Sequence, residues 1–289
     1  MKLNTLAVSP HKIIRRDIKI PFNRNKNFYF YEDNAVVTSL FVVMSAMFPP
    51  GEMFFIESVR NVREQIKDQD LLKDISAFIA QEAFHSREHK SLNAHIINSG
   101  YPEVTEIEAK TKAKLDELRK LSKVGQLAAT VVMEHYTATL ARLLLTDKLI
   151  QTKTTQETRN LWEWHALEEL EHKSVAFDVL SEIGGNTQAN RTKALGRVAL
   201  LVMPILFEYW IKILVRKDIK FTTKDLREAI TLGFGGFNRF GILSKATIQM
   251  LDITIKNFNP RHMKTENLET KYREKLFGEN GILKSELKN

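Results

Sequence analysis

The chain of 289 residues contains no cysteine. That absence excludes disulfides, zinc–thiolate sites, iron–sulfur clusters and cysteine nucleophiles, and it accords with a reducing cytosol. Glycine and proline are scarce, at 12 and 7 residues, and they fall between long periodic stretches. An all-α protein follows more naturally from this than a sheet protein. No apolar run follows a basic start near Met1, so the beginning does not read as a secretory signal. No nicotinamide fingerprint is found. Gly233-Phe234-Gly235-Gly236-Phe237 lacks the strand and the Lys-Ser/Thr of a phosphate-binding loop and reads as a hinge. No Ser-His-Asp arrangement stands out either.

What is present is ordinary in bulk: 43% hydrophobic and 27% charged residues, enough to build a sizeable core. The formal net charge is +8, with Lys12, Arg15, Arg16, Lys19, Arg24 and Lys26 standing against Asp17 early in the chain. No nucleic-acid motif accompanies that charge, so nucleic acid is not an expected partner. A solvated basic face is the plain reading, and contact with anionic lipid or an acidic partner the sharper one.

The pattern predicts an irregular basic leader over 1–33, with a short strand at Ile18–Phe22. Helices follow over 34–47, stopping before Pro49-Pro50, then 51–66, 71–98, 103–123, 126–148 and from about 156 to Ile183. Further helices are expected near 190–216, 223–232 and 238–258, ahead of a polar, basic tail from His262. The expected organisation is a bundle over 34–185 with additional helices of 186–289 packed on it as one domain. The apolar run Val198–Val215 carries Glu208, Lys212 and Pro204, which make it a poor membrane span. It reads as a buried helix, or as a membrane-surface contact or the wall of a lipid-accepting channel.

Two short patterns carry chemistry: Glu82-Ala83-Phe84-His85 and Glu169-Leu170-Glu171-His172. Each follows a carboxylate on its own helix, Glu57 among Met53, Phe54, Phe55 and Ile56, and Glu134 among Val131, Val132 and Met133. Glu and His at i and i+3 share a helix face and can address one ion. Glu, Glu-x-x-His, Glu, Glu-x-x-His is the donor order of carboxylate-bridged dinuclear sites in ferritin-like four-helix bundles. Glu57 and Glu82 lie at matching heights about their turn, as do Glu134 and Glu169 about theirs. The stretch 103–123 is about 30 Å long as a helix, enough for the one long crossover such a bundle needs between its second and third helices. Carboxylate and imidazole without thiolate suit iron or manganese, and four carboxylates balance two divalent ions.

His165 lies on the face of Glu169 and His172 as a further candidate ligand. His89 continues the His85 face as an outer or substrate-side group, and Glu168 rivals Glu169 because 165, 168 and 172 also share a face. Glu171 points elsewhere and reads as solvated, His135 turns away from Glu134, and Trp162 and Trp164 read as core or rim and not as catalytic.

The core from about 50 to 180 resembles a bacterial family labelled predicted metal-dependent hydrolases. The resemblance is carried by Gln81-Glu82-Ala83-Phe84-His85-Ser86-Arg87-Glu88-His89 and by Glu168-Glu169-Leu170-Glu171-His172-Lys173-Ser174-Val175-Ala176-Phe177-Asp178. The donor set is also similar to that of di-iron arylamine N-oxygenases, in which a His four residues before the last Glu-x-x-His is a seventh ligand, matched here by His165. The resemblance implies two irons, or manganese, held by Glu57, Glu82, His85, Glu134, His165, Glu169 and His172. It implies O2 activation on a small apolar substrate with an external electron donor. Metal-assisted hydrolysis is the alternative, and non-enzymatic iron handling a third. The expected setting is cytoplasmic, peripheral at a membrane if the apolar run contacts one, and a homodimer is a further partner the chain could take.

Overall fold

In a computed structural model of the chain, residues 13–22, 30–236 and 239–288 are described. Lys12, Arg24 and Lys26 of the basic leader, and Phe237 of the glycine loop, lie outside them. The helices are α1 (Ala35–Arg60), α2 (Gln69–Asn98), α3 (Glu103–Arg119), α4 (Lys123–Thr146), α5 (Lys148–Lys153), α6 (Gln156–His172), α7 (Val175–Glu182), α8 (Gln188–Leu201), α9 (Met203–Leu214), α10 (Thr223–Gly233), α11 (Ile242–Met250) and α12 (Glu266–Phe277). A two-residue ribbon, Gly235–Gly236 against Arg239–Phe240, is the sheet found among the described residues. The molecule is an all-α bundle.

Helix α1 is the largest departure from the sequence pattern. It starts at Asn34, whose side chain accepts the Val36 and Val37 amides, and runs unbroken through Pro49 and Pro50. A proline inside a helix leaves the carbonyl four residues earlier without its donor. The Ser45 carbonyl, orphaned by Pro49, instead accepts Nδ2 of Asn93 on α2 at 3.2 Å. A side chain from the neighbouring helix thus replaces one of the two backbone bonds that Pro49 and Pro50 remove, and the expected break at 47–51 does not occur.

α1 and α2 are antiparallel: Ser45 bonds Asn93, Ser86 reaches the Pro49 carbonyl, and Arg63 bonds Ser76. α4 and α6 form the second antiparallel pair. α3 joins them lengthwise, with Glu108 bonded to Asn93 at the level of Ser45 and Arg119 bonded to Glu57 near the far end of α1. This is the expected crossover. The expected single helix to Ile183 divides after His172, where Lys173 donates from Nζ to the Leu170 carbonyl and to Glu269. The stretch near 190–216 divides at Val202, just ahead of Pro204.

The later helices cover the bundle: α8 and α11 lie on α4, α9 on α1, and α12 on α6. The residues after His262, expected as a polar tail, therefore include a docked helix. Ile18 forms a single antiparallel bridge with Leu287 in place of the expected strand. Two stretches, 35–65 and 188–214, are long and apolar enough to cross a membrane by length and composition. The first is 61% buried, as a bundle core helix is, and the second 39%.

Candidate metal centre

Four helices bring seven donors to one buried point. α2 contributes Glu82 and His85, α4 contributes Glu134, and α6 contributes His165, Glu169 and His172, all of them buried. The seventh is Glu52 of α1, 1% exposed. Glu57 is not part of the cluster. Its side chain is 43% exposed and bonds Arg119 Nε at 2.6 Å. Five residues at about 100° each place it roughly 140° around the helix from Glu52. The sequence pattern does not single out Glu52. In a continuous α1 it lies mid-helix, facing inward, and takes the place expected of Glu57.

The cluster falls into overlapping groups whose donor atoms lie within 4.8 Å of one another: Glu82–Glu169–His172, Glu52–Glu82–His85, His85–His165–Glu169 and Glu52–His89–His165. His172 Nε2 stands 3.1 Å from Glu82, 3.4 Å from Glu134 and 3.5 Å from Glu169. His165 Nε2 stands 3.0 Å from Glu169 and 3.9 Å from Glu52. His85 Nδ1 is 3.9 Å from Glu169 and 4.0 Å from Glu82. Glu52, Glu82, His85, His165 and Glu169 each belong to two of these groups.

Both oxygens of Glu52, Glu82 and Glu134, together with His85 Nδ1 and His172 Nε2, are buried without a hydrogen-bond partner. Buried polar atoms are rarely left so, and eight converging on one point fit a cation-binding site. The donors are carboxylate oxygen and imidazole nitrogen, which suit iron or manganese.

Charge tells the same story. Burial, then the neighbouring charge of Glu169, pushes the Glu52, Glu82 and Glu134 carboxyls well above the usual carboxylate range. Glu169 goes the other way: burial opposes ionisation, but His172 and His165 beside it hold its carboxyl well down. Burial, then the nearby His165, lowers the His85 and His89 imidazoles, so both are neutral and keep a lone pair.

Behind each imidazole sits a partner that selects the nitrogen facing the cluster. His85 Nε2 lies 3.0 Å from Glu168, leaving Nδ1 inward. His165 Nδ1 lies 2.8 Å from His89 Nε2, and His89 Nδ1 lies 2.9 Å from Ser45 Oγ. His172 Nδ1 donates to Gln81 Oε1 at 3.1 Å. Such outer partners set tautomer and ring orientation. His89 thus has both nitrogens engaged and stands behind His165, and Glu168 stands behind His85. Sequence reasoning missed Gln81, although it directly precedes Glu82.

A second layer of charge surrounds this one. Arg16 is 3% exposed and bonds Glu168 at 3.0 Å and Glu171 at 2.8 Å, and Arg273 adds a further bond to Glu171 at 2.8 Å. Glu171 is therefore a buried, fully engaged acid, contrary to the solvated position expected for it. Arg16 is internal and not part of a basic face. The segment 13–22 reaches the cluster because Gln81 holds the Ile14 carbonyl at 2.9 Å and Glu88 accepts the Ile20 amide at 2.9 Å. His135 turns away as expected, facing the Gln249 carbonyl at 3.1 Å. Trp162 and Trp164 are core.

Replacing His89 with Phe, or Gln81 with Leu, should lower metal affinity by about 10–100-fold without unfolding the chain. A competition titration with a chelator would check this, and unchanged affinity in both would remove these residues from the site.

A cavity of about 100 Å³ opens against the cluster. Met44, Met47, Phe55, Leu115, Met133 and Leu206 are among its walls, and Glu52 bounds it on the cluster side. The other polar groups lining it are Thr111, Tyr136 and Thr137. Burial pushes the Tyr136 phenol up to about 12, so it stays protonated. Thr137 donates its hydroxyl to Glu169 Oε2 where cavity and cluster meet.

In the comparisons with known proteins, a family described as "predicted metal-dependent hydrolase" matches residues 14–264. No curated protein and no solved structure matches the chain.

Proposed function

The chain belongs to the predicted metal-dependent hydrolase family, and from that premise and the geometry of the cluster we propose that it is a dinuclear metalloenzyme that uses O2 to oxidise an apolar organic substrate. His172 with Glu134 would hold one ion, His85 and His165 with Glu52 the other, and Glu82 and Glu169 would be shared. When bound, a pair of reduced irons would supply O2 with electrons.

The single observation that carries this reading is the apolar cavity that ends on Glu52. It offers no lysine or arginine to hold an anionic substrate such as a phosphoester. It does suit a hydrocarbon. The chain's own groups perform three tasks there. The methionine and aromatic walls orient the substrate and exclude water. Glu168, Gln81 and His89 hold the imidazoles in the tautomers that present lone pairs. Thr137 keeps a proton on Oγ1 against Glu169, at the seam where the substrate would stand. A hydroxylation balances as R–H, O2, two electrons and two protons giving R–OH and water. The electrons come from an external one-electron carrier of the flavin or iron–sulfur class.

The family description favours a second reading, in which the same two ions lower the pKa of a bridging water for hydrolysis. The deciding experiment loads metal-free protein with ferrous iron under anaerobic conditions and then admits O2. Two irons per chain and O2 uptake far faster than by free ferrous iron are expected. Uptake no faster than the free ion, with ester cleavage in the absence of O2, would establish the hydrolase instead.

A further inference from the structure

The wall of the cavity has two faces. Val198, Val202, Met203 and Leu206, from α8, α9 and the joint between them, line the interior. On the outside of α9 and its C-cap, Phe207, Ile211 and Val215 recur every four residues, and all are exposed, Val215 by 73%. Leu226, Ile230 and Phe234 repeat that spacing on α10 and are also exposed. The rings of Phe207 and Phe234 stack at 6.5 Å, so the two stripes meet. Contiguous apolar surface of this kind marks an interaction site.

The surrounding charge indicates what covers it. Residues 186–256 hold twelve basic and five acidic side chains. Glu208 and Glu228 are turned to Lys110 and Lys153, and Asp218 is paired with Arg216. Lys217, Lys220, Lys224 and Arg227, on the connection between the stripes and the start of α10, are exposed. Apolar stripes beside cations are the pattern of helices that lie in an anionic membrane interface. Glu208 and Lys212 within α9 keep it from spanning.

We infer that the α9–α10 face docks on an anionic bilayer, and that the substrate of the metal centre is a lipid whose hydrocarbon chain passes the α8–α9 wall and ends at Glu52. The substrate part rests on the oxidase reading above; the docking part does not. The lining offers a charged head group no counter-ion. The chain end therefore enters, and the head group stays with the lysines outside.

The test sediments the full chain with vesicles of phosphatidylcholine alone or mixed equally with phosphatidylglycerol. Binding at least about tenfold tighter to the mixed vesicles, weakened by high salt, is expected. The double variant Ile211→Glu/Ile230→Glu should lose it while keeping its helical circular dichroism and its metal stoichiometry. In a second assay a pyrene-labelled fatty acid in the same vesicles should transfer to the protein. Val202→Trp should cut that transfer at least about fivefold with vesicle binding retained, since it fills the cavity and leaves the outer face alone. No sedimentation, equal binding to both vesicles, or a dimer that buries this face would overturn the docking. Vesicle binding without fatty-acid transfer would overturn the lipid substrate. Because neither assay needs metal or O2, loss of O2 uptake with both intact would count against the oxidase reading alone.

Discussion

Glu52→Gln is expected to abolish binding of one of two metal ions, whereas Glu57→Ala leaves both in place. The two residues lie on the same helix, and the difference is one of direction. Glu52 aims two unpartnered oxygens at the cluster. Glu57 bonds Arg119 at a half-exposed site, where an ion pair contributes about 0–1 kcal/mol. The loss in Glu52→Gln should exceed the roughly 10–100-fold of an outer-partner change. Its effect on the metal-free protein should have the opposite sign. Removing one of several crowded, buried acids relieves the fold, and a gain on the order of 1 kcal/mol would raise Tm by about 2–4 °C. Elemental analysis and calorimetry of both variants check this. Full metal content in Glu52→Gln, or depleted content in Glu57→Ala, would return the site to the arrangement expected from sequence.

The second large effect is on pH. Glu52, Glu82 and Glu134 bind their protons more tightly folded than unfolded, and Glu168 is raised from 4.5 to about 8, by burial, with Glu171 adding to it against the pull of Arg16. For such acids the folded state holds the extra protons, so their contribution to stability is full below 4.5 and is lost as pH rises through the raised values. Glu169 contributes in the opposite sense: its share is present above the ordinary range and lost as pH falls. The lowered His85, His89 and His135 imidazoles also oppose the four raised acids up to about pH 6.5, so the metal-free protein should lose Tm between about pH 6.5 and pH 8. Bound cations need the carboxylates ionised, so the Tm gained on loading should grow across the same interval, with protons released on binding. One of those protons lies between His85 Nε2 and Glu168, 3.0 Å apart. On Glu168 it leaves a hydrogen on His85 Nδ1 and blocks the site; on Nε2 it frees Nδ1. A gain in Tm that is flat with pH, with no proton release into a weakly buffered indicator, would rule this out.

The bundle and most of its donors were legible because they follow local rules. Glu82 with His85, and Glu169 with His172, are set by helical spacing alone, and the length of 103–123 announces a crossover. Glu52 was hidden by a long-range effect. Pro49 and Pro50 read as a helix stop, yet α1 continues through them, with Asn93 of α2 satisfying the Ser45 carbonyl, and turns Glu52 inward. The burial of Arg16 and Glu171 was hidden for the same reason. Each looks like an ordinary surface charge until a partner more than a hundred residues away is placed beside it. Gln81 carried a usable signal, a polar residue on the inner face of α2 beside a Glu-x-x-His pattern, but amide groups draw less notice than carboxylates.

The contacts behind α6 have a consequence for biosynthesis. Glu171 takes Arg16 from the first part of the chain and Arg273 from α12, Glu163 takes Lys275, and Ile18 is clasped by Leu287. While the chain is still emerging from the ribosome, the four bundle helices can pair, but the acids on the back of α6 lack the cations made last. The order of synthesis therefore leaves Glu171 without Arg273 and Glu163 without Lys275 until α12 has been made.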